Sequence, residues 1–293
     1  MRLNGFRNLS LLTMLSLLPI LEPLGSERLS VLVTNDDGVS SQGLKVLSNA
    51  LEEAGYEVTV VAPATQQSGS GMKVTLGDLE LNKIDGETDT WSVNGSPADA
   101  VSVGIKHVMK DRSIDLVISG PNFGQNLGSN VFLSGTVGGA MTAAMNGIPA
   151  IALSVGINLV ESDESPYRFP STLLSFEPAC TFLISLLKQW DKQTIGKIIK
   201  QNTLVNINYP EIGEENIKGY RWIEVGEQGG FSINYSPREG GGLLTSISEN
   251  ETSKPAAKDL GFFNQGYITL SILSLDWNVP KTMYHFVAGD LRR

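Results

Sequence analysis

The 293-residue chain has one cysteine, Cys180, and two histidines, His107 and His285. A single thiol excludes an intrachain disulfide, a cysteine-built zinc site and an iron–sulfur cluster. Two histidines leave little room for histidine phosphatases or His-rich zinc hydrolases. Position 186, six residues after Cys180, is leucine instead of arginine, so the cysteine-phosphatase loop fails as well. No G-x-x-x-x-G-K-[ST] string occurs, which removes Walker P-loop chemistry. Basic residues are also few, with 22 Lys and Arg against 31 Asp and Glu and a net charge of −9. That balance excludes a nucleic-acid polymer as the main partner. An acidic molecule that handles an anionic substrate must borrow positive charge from a metal ion or from helix N-termini.

What is present describes an ordinary globular chain, 41% hydrophobic and 18% charged. Beyond the N-terminus, no stretch reads as a membrane span, and there is no internal repeat. At the N-terminus, Arg2 and Arg7 precede an uncharged, leucine-rich run from Asn8 to Leu21. That run is short for a mature transmembrane helix and fits a signal peptide over 1–26, cleaved near Gly25–Ser26. A buried core helix is the alternative. Export would make the mature protein secreted, periplasmic or vacuolar and free of the membrane; otherwise it is cytoplasmic.

Apolar β-branched runs alternate with helical spacing along residues 27–210. Strands are expected at 29–34, 57–62, 114–119, 150–154 and 203–207. Helices are expected around Leu44–Leu51, Ala98–Met109, Thr136–Asn146 and Pro178–Gln189. Such alternation predicts right-handed crossovers and a Rossmann-like, three-layer α/β sandwich on a mostly parallel sheet. After Pro210 the chain becomes polar and Gly-rich between β-like runs at 219–225, 267–275 and 283–287. Residues 211–293 therefore read as an antiparallel β extension with hairpins, suited to an oligomer contact.

Ligands of open parallel sheets bind beyond the carboxyl ends of the strands, and four segments fall there. Asn35-Asp36-Asp37-Gly38 sets two carboxylates side by side after a buried strand, a repulsion that a hard divalent cation would reverse. An Asx-turn with a helix cap would explain one of the two. Thr65–Gly71, with Ser68 and Ser70, offers hydroxyl ligands or is a plain surface loop. Asn94-Gly95-Ser96-Pro97 reads as a turn, with Ser96 capping a helix begun by Pro97. The fourth runs from Ser119 through Asn122 and Asn126 to Ser134-Gly135-Thr136, small and amide residues between a strand and a helix. The free N–H groups and hydroxyls of that helix start could receive a phosphate-like anion, or Ser134 and Thr136 could serve only as caps. An oxygen-only set of Asp, Asn and Ser suits Mg2+ or Mn2+ over a soft metal.

These motifs, N-D-D-G, A-P-x-x-x-x-S-G and S-G-x-N-x-G-x-N-L-G followed by S-G-T-V, resemble the survival protein SurE family of metal-dependent nucleotidases and acid phosphatases. The likeness also runs through Leu204–Pro210 and Gly266–Leu270. It implies one divalent metal ion per subunit, Mg2+ or Mn2+, on Asp36, Asp37, Ser68 and Asn122. Asp36 and Asp37 would also be the catalytic pair. Phosphate would fall on Asn126, Ser134, Gly135 and Thr136, with Asn94 nearby. The implied activity is hydrolysis of nucleoside monophosphates by a homodimer or homotetramer. A non-catalytic nucleotide- or anion-binding protein is the rival reading.

Overall fold

The computed structural model describes residues 28–86, 89–164, 169–190, 192–250 and 258–278. The expected signal peptide, 1–26, and the expected run at 283–287 lie outside them. Six parallel strands form the centre of a nine-stranded sheet: β1 Ser30–Thr34, β2 Glu57–Pro63, β4 Thr90–Val93, β5 Leu116–Phe123, β6 Ala150–Val155 and β7 Thr203–Tyr209. Short β3 (Leu81–Lys83) pairs antiparallel with β4 at one edge. At the other edge β11 (Ile268–Ser274) runs antiparallel to β7, and β8 (Tyr220–Trp222) runs parallel to β11. The order is β3-β4-β2-β1-β5-β6-β7-β11-β8.

Alternation along β1 divides the core between two layers. Val31 and Val33 face Leu44, Leu47 and Leu51 of α1 (Gln42–Glu53) and Phe176 and Leu183 of α4 (Pro170–Gln189). Leu32 faces the other way, towards α2 (Pro97–Val103) and α3 (Gly135–Met145), which pack with Ala100, Val101, Val137 and Ala140. The expected three-layer α/β sandwich is observed.

Several boundaries differ from the sequence reading. Helix α4 starts at Pro170, eight residues before Pro178, which lies inside it. Pro170 holds the first-turn place that suits a proline, and the packing of Phe176, Ala179 and Cys180 carries the helix through Pro178. By length and composition α4 is apolar enough to cross a membrane, contrary to expectation, but its inner face is buried between α1 and the sheet. The helix expected over 98–109 is shorter, with Val103 followed by one π-helical turn. A short α5 (Lys192–Ile198) precedes β7.

After Pro210 the chain re-enters the main sheet as β8 and β11 around α6 (Asp259–Asn264). Only β9 (Phe231–Pro237) and β10 (Leu243–Glu249) stand apart, as an antiparallel hairpin. Its register puts Ile233, Tyr235, Leu243 and Ile247 on one face, all exposed.

Candidate active site

Strand β1 runs out at Thr34, and the next four residues turn the chain towards α1. Asn35 braces the turn, its Nδ2 donating to Gly38 O (3.1 Å) and Ser41 Oγ (2.7 Å). Gly38 adopts φ +97°, a left-handed conformation that suits glycine, and a side chain there would lie 3.2 Å from the backbone of Thr65 in the neighbouring loop. The turn sets Asp36 and Asp37 at the carboxyl edge of the sheet, with Asp36 only 2% exposed.

Each carboxylate is tied to a different element. Asp36 Oδ1 accepts from Thr136 Oγ1 at 2.6 Å, and the backbone N–H groups of Gly135 and Thr136 also favour its charge. Asp37 Oδ2 accepts from the Phe123 N–H at 2.9 Å. Burial pushes Asp36 above the ordinary carboxylate range in spite of those donors. Burial and then the charge of Asp36 push Asp37 up to about 7, against the Phe123 N–H.

The start of α3 is shaped to reach Asp36. Ser134 caps the helix by accepting from the Val137 N–H at 3.0 Å. A side chain at Gly135 would lie 2.9 Å from Asp36 Oδ2 and 2.7 Å from Ser70 Oγ, so only glycine permits this approach. The helix start expected to receive phosphate is turned towards a carboxylate of this chain.

Asn122 arrives from β5, which continues to Phe123 through an irregular stretch between Ser119 and Asn122. Its Nδ2 donates to Gly124 O at 2.6 Å, and its Oδ1 is buried with no partner. Ser68 is exposed and its Oγ accepts from Gln66 Nε2 at 2.8 Å. Ser70 Oγ, by contrast, is buried without a partner beside Asp36. The family resemblance implies Ser68 as the metal ligand; the Ser-Gly-Ser-Gly string holds both hydroxyls, of which that of Ser70 is the buried one.

Asn126 anchors the loop after β5. Its N–H donates to Asn208 Oδ1 (2.7 Å) and its Nδ2 to Ser154 Oγ (2.9 Å), while its carbonyl accepts from the Asn206 and Asn208 amides. Asn94 is exposed on the turn between β4 and α2, its N–H donating to Glu80 O at 3.0 Å. Among the described residues no hydrogen bond joins it to the Asp36–Thr136 cluster. The expected cap by Ser96 is present, as a capping box with Asp99.

The structure thus brings together Asp36, Asp37, Asn122 and Ser134–Thr136, adds Ser70, and leaves Ser68 and Asn94 at the rim. A buried and a half-buried carboxylate in mutual repulsion, with two unpartnered neutral oxygens, fit a hard divalent cation.

Residues 31–230 match the family model described as survival protein SurE. Over 262 residues the chain is 32% identical to the 5'-nucleotidase SurE of Clostridium botulinum, covering 87% of this chain and 97% of that protein. Over 196 residues it is 40% identical to the 5'-nucleotidase SurE of Thermosipho melanesiensis, covering 66% and 69% of the two chains. The crystal structure of the SurE protein from Aquifex aeolicus superimposes with a TM-score of 0.70 at 30% identity, covering 87% of this chain and 97% of that one. The matched span contains the whole Asp36–Thr136 cluster, and the chain belongs to the survival protein SurE family.

Proposed function

We propose that this protein is a metal-dependent phosphomonoesterase that releases phosphate from nucleoside monophosphates, a 5'-nucleotidase. The observation that carries the reading is the Asp36–Asp37 pair at the end of β1, Asp36 buried and Asp37 held by the N–H of Phe123, the residue after Asn122, whose own side-chain oxygen is buried without a partner. The relatives named above are 5'-nucleotidases, which supports the same reaction here. Asp36, Asp37 and Asn122 would hold the cation, with a serine of the 65–71 loop completing the set. Bound there, a divalent ion, Mg2+ or Mn2+, supplies a Lewis acid for the phosphoryl group and lowers the pKa of water.

The chain's own residues do the rest. Thr136 fixes the Asp36 carboxylate, and the Phe123 N–H fixes that of Asp37. The other oxygen of Asp37 is the acceptor for the proton of the attacking water. The α3 start, its Gly135 and Thr136 N–H groups turned to Asp36, holds that carboxylate ready for the cation, and Asn126 holds the loop after β5 through Ser154 and Asn208. Phosphate release from a nucleotide panel, with and without a chelator, tests the reading. Tight nucleotide binding without phosphate release would favour the non-catalytic alternative.

The β9–β10 arm supports a homodimer or homotetramer, since a lone two-stranded hairpin is marginal in water and this one exposes an apolar face. A monomer at micromolar concentration in light scattering would refute that. The charged, then leucine-rich N-terminus supports export, and a mature protein still beginning at Met1 would count against it.

A further inference from the structure

The same sheet edge holds a second feature that the metal cluster does not use. Beyond the carboxyl ends of β6 and β7 lies a cavity of about 460 Å³, within the range of small-ligand sites. Its walls include Gln125, Glu211, Lys218, Asn250 and Phe263. Glu211 follows Pro210 at the end of β7, and its Oε2 is buried without a hydrogen-bond partner. Room for that oxygen exists because residue 156 is glycine: a methyl there would lie 1.7 Å from it. Burial raises the Glu211 pKa; its own backbone N–H opposes this, and Glu249 and Glu161 add to the rise. A wall of this sign repels phosphate and recruits N–H donors.

The cavity is joined to the metal cluster through Gln125, which follows Gly124, the acceptor for Asn122, and accepts from the Ile157 N–H at 2.9 Å. In the sheet order β5-β6-β7, Asn122 lies on β5 and Glu211 just past the end of β7, two places along, and strands so placed are roughly 10 Å apart at the usual spacing. That separation suits the reach from the phosphate of a nucleotide to its base. Among the common bases, guanine alone presents two adjacent N–H donors beside a carbonyl. Uracil flanks its one N–H with oxygens, and adenine and cytosine set a ring acceptor next to their amine.

Resting on the phosphomonoesterase reading above, we propose that this cavity binds the base of a guanine nucleotide, Glu211 accepting its N–H donors and Lys218 serving its carbonyl. The test uses the full chain with Mn2+ and compares GMP, AMP and the base-free p-nitrophenyl phosphate. The expected result is a kcat/KM for GMP well above that for AMP. In Glu211→Gln the GMP to p-nitrophenyl phosphate ratio should fall about 10- to 100-fold, mostly through KM, the scale of a lost hydrogen bond to a charged group. Gly156→Ala, whose methyl displaces the carboxylate, should lower the same ratio. Equal use of GMP and AMP, or an unchanged ratio in Glu211→Gln, overturns the inference while leaving the phosphatase reading intact. If no phosphoester is cleaved, that reading fails, and calorimetry of guanosine in EDTA decides the cavity separately. Guanosine bound by the parent and lost in Glu211→Gln supports the inference; no guanosine binding overturns it.

Discussion

Two helix N-termini on one face of the sheet each hold a buried carboxylate, with opposite electrostatic results. At the start of α2, Asp99 is 3% exposed and accepts from the Thr75 N–H (3.0 Å), Thr75 Oγ1 (2.7 Å) and the Ser96 N–H (2.9 Å). Burial works against its charge, but those donors win and hold it below the ordinary range. At the start of α3, Asp36 is equally buried and also has donors, yet it is raised, and Asp37 beside it more plainly so. Asp37 has one N–H donor and an adjacent charge. Both are closed to solvent, but Asp36 lies deeper among protein atoms and has a second carboxylate beside it, so its donors fall short where those of Asp99 suffice. A carboxylate the chain satisfies is architecture, and a pair it leaves short is a place for a cation.

The comparison breaks most sharply at Asp37. In Asp37→Asn, phosphate release at saturating Mn2+ should fall by more than the about 10²–10³-fold typical of one lost oxyanion donor. The metal-free variant should at the same time melt higher than the parent near neutral pH, because a buried repulsion is gone. Near-parental turnover would remove Asp37 from the site. A lower melting point would show that the pair is satisfied after all.

Asp99→Ala should do the reverse. It strands the Thr75 and Ser96 N–H groups and removes half of a capping box, costing about 1–3 kcal/mol of stability. Turnover per folded molecule at 25 °C should be retained. Denaturant melts beside a phosphate-release assay check both, and a large loss of kcat without destabilisation would place Asp99 in the chemistry.

The sequence showed the central strands and the Asp36–Asp37 turn because both leave local marks: alternation of apolar residues, and two acids where one cap would serve. It showed an antiparallel β extension with hairpins after Pro210 but not that 231–237 and 243–249 form it, because the Ile-Asn-Tyr-Ser pattern of β9 carries no burial of its own within one subunit. That the Ser70 hydroxyl is buried and Ser68 exposed is not encoded in a Ser-Gly-Ser-Gly string. Asn126 entered among the phosphate residues through the family resemblance. Its bonds to Ser154 and Asn208, from β6 and β7, depend on strand order that no local motif contains. Glu211 was missed for the same reason, since its glycine neighbour lies far away in the chain.

The smallest effect is the most diagnostic, because the two sites differ in sign. Asp99 has a lowered folded pKa, so its stabilisation is present above the unfolded value of 3.8 and is lost as pH falls below it. Asp37 has a folded pKa raised from 3.8 to about 7, so the metal-free fold binds its proton more tightly than the unfolded chain does. The pair's contribution then declines as pH rises from about 4 to about 7. Mn2+ should cancel that decline, because metal binding requires the charged carboxylates and competes with the proton. Melting scans of the parent in EDTA and in Mn2+ should coincide near pH 5 and separate by several degrees near pH 8. In Asp37→Asn the two curves should stay close throughout, whereas in Asp99→Ala they should separate as in the parent, both shifted down. If the parent's curves run parallel across this range, the strain at Asp37 is relieved by something other than a cation, and the contrast between the two helix starts loses its functional meaning.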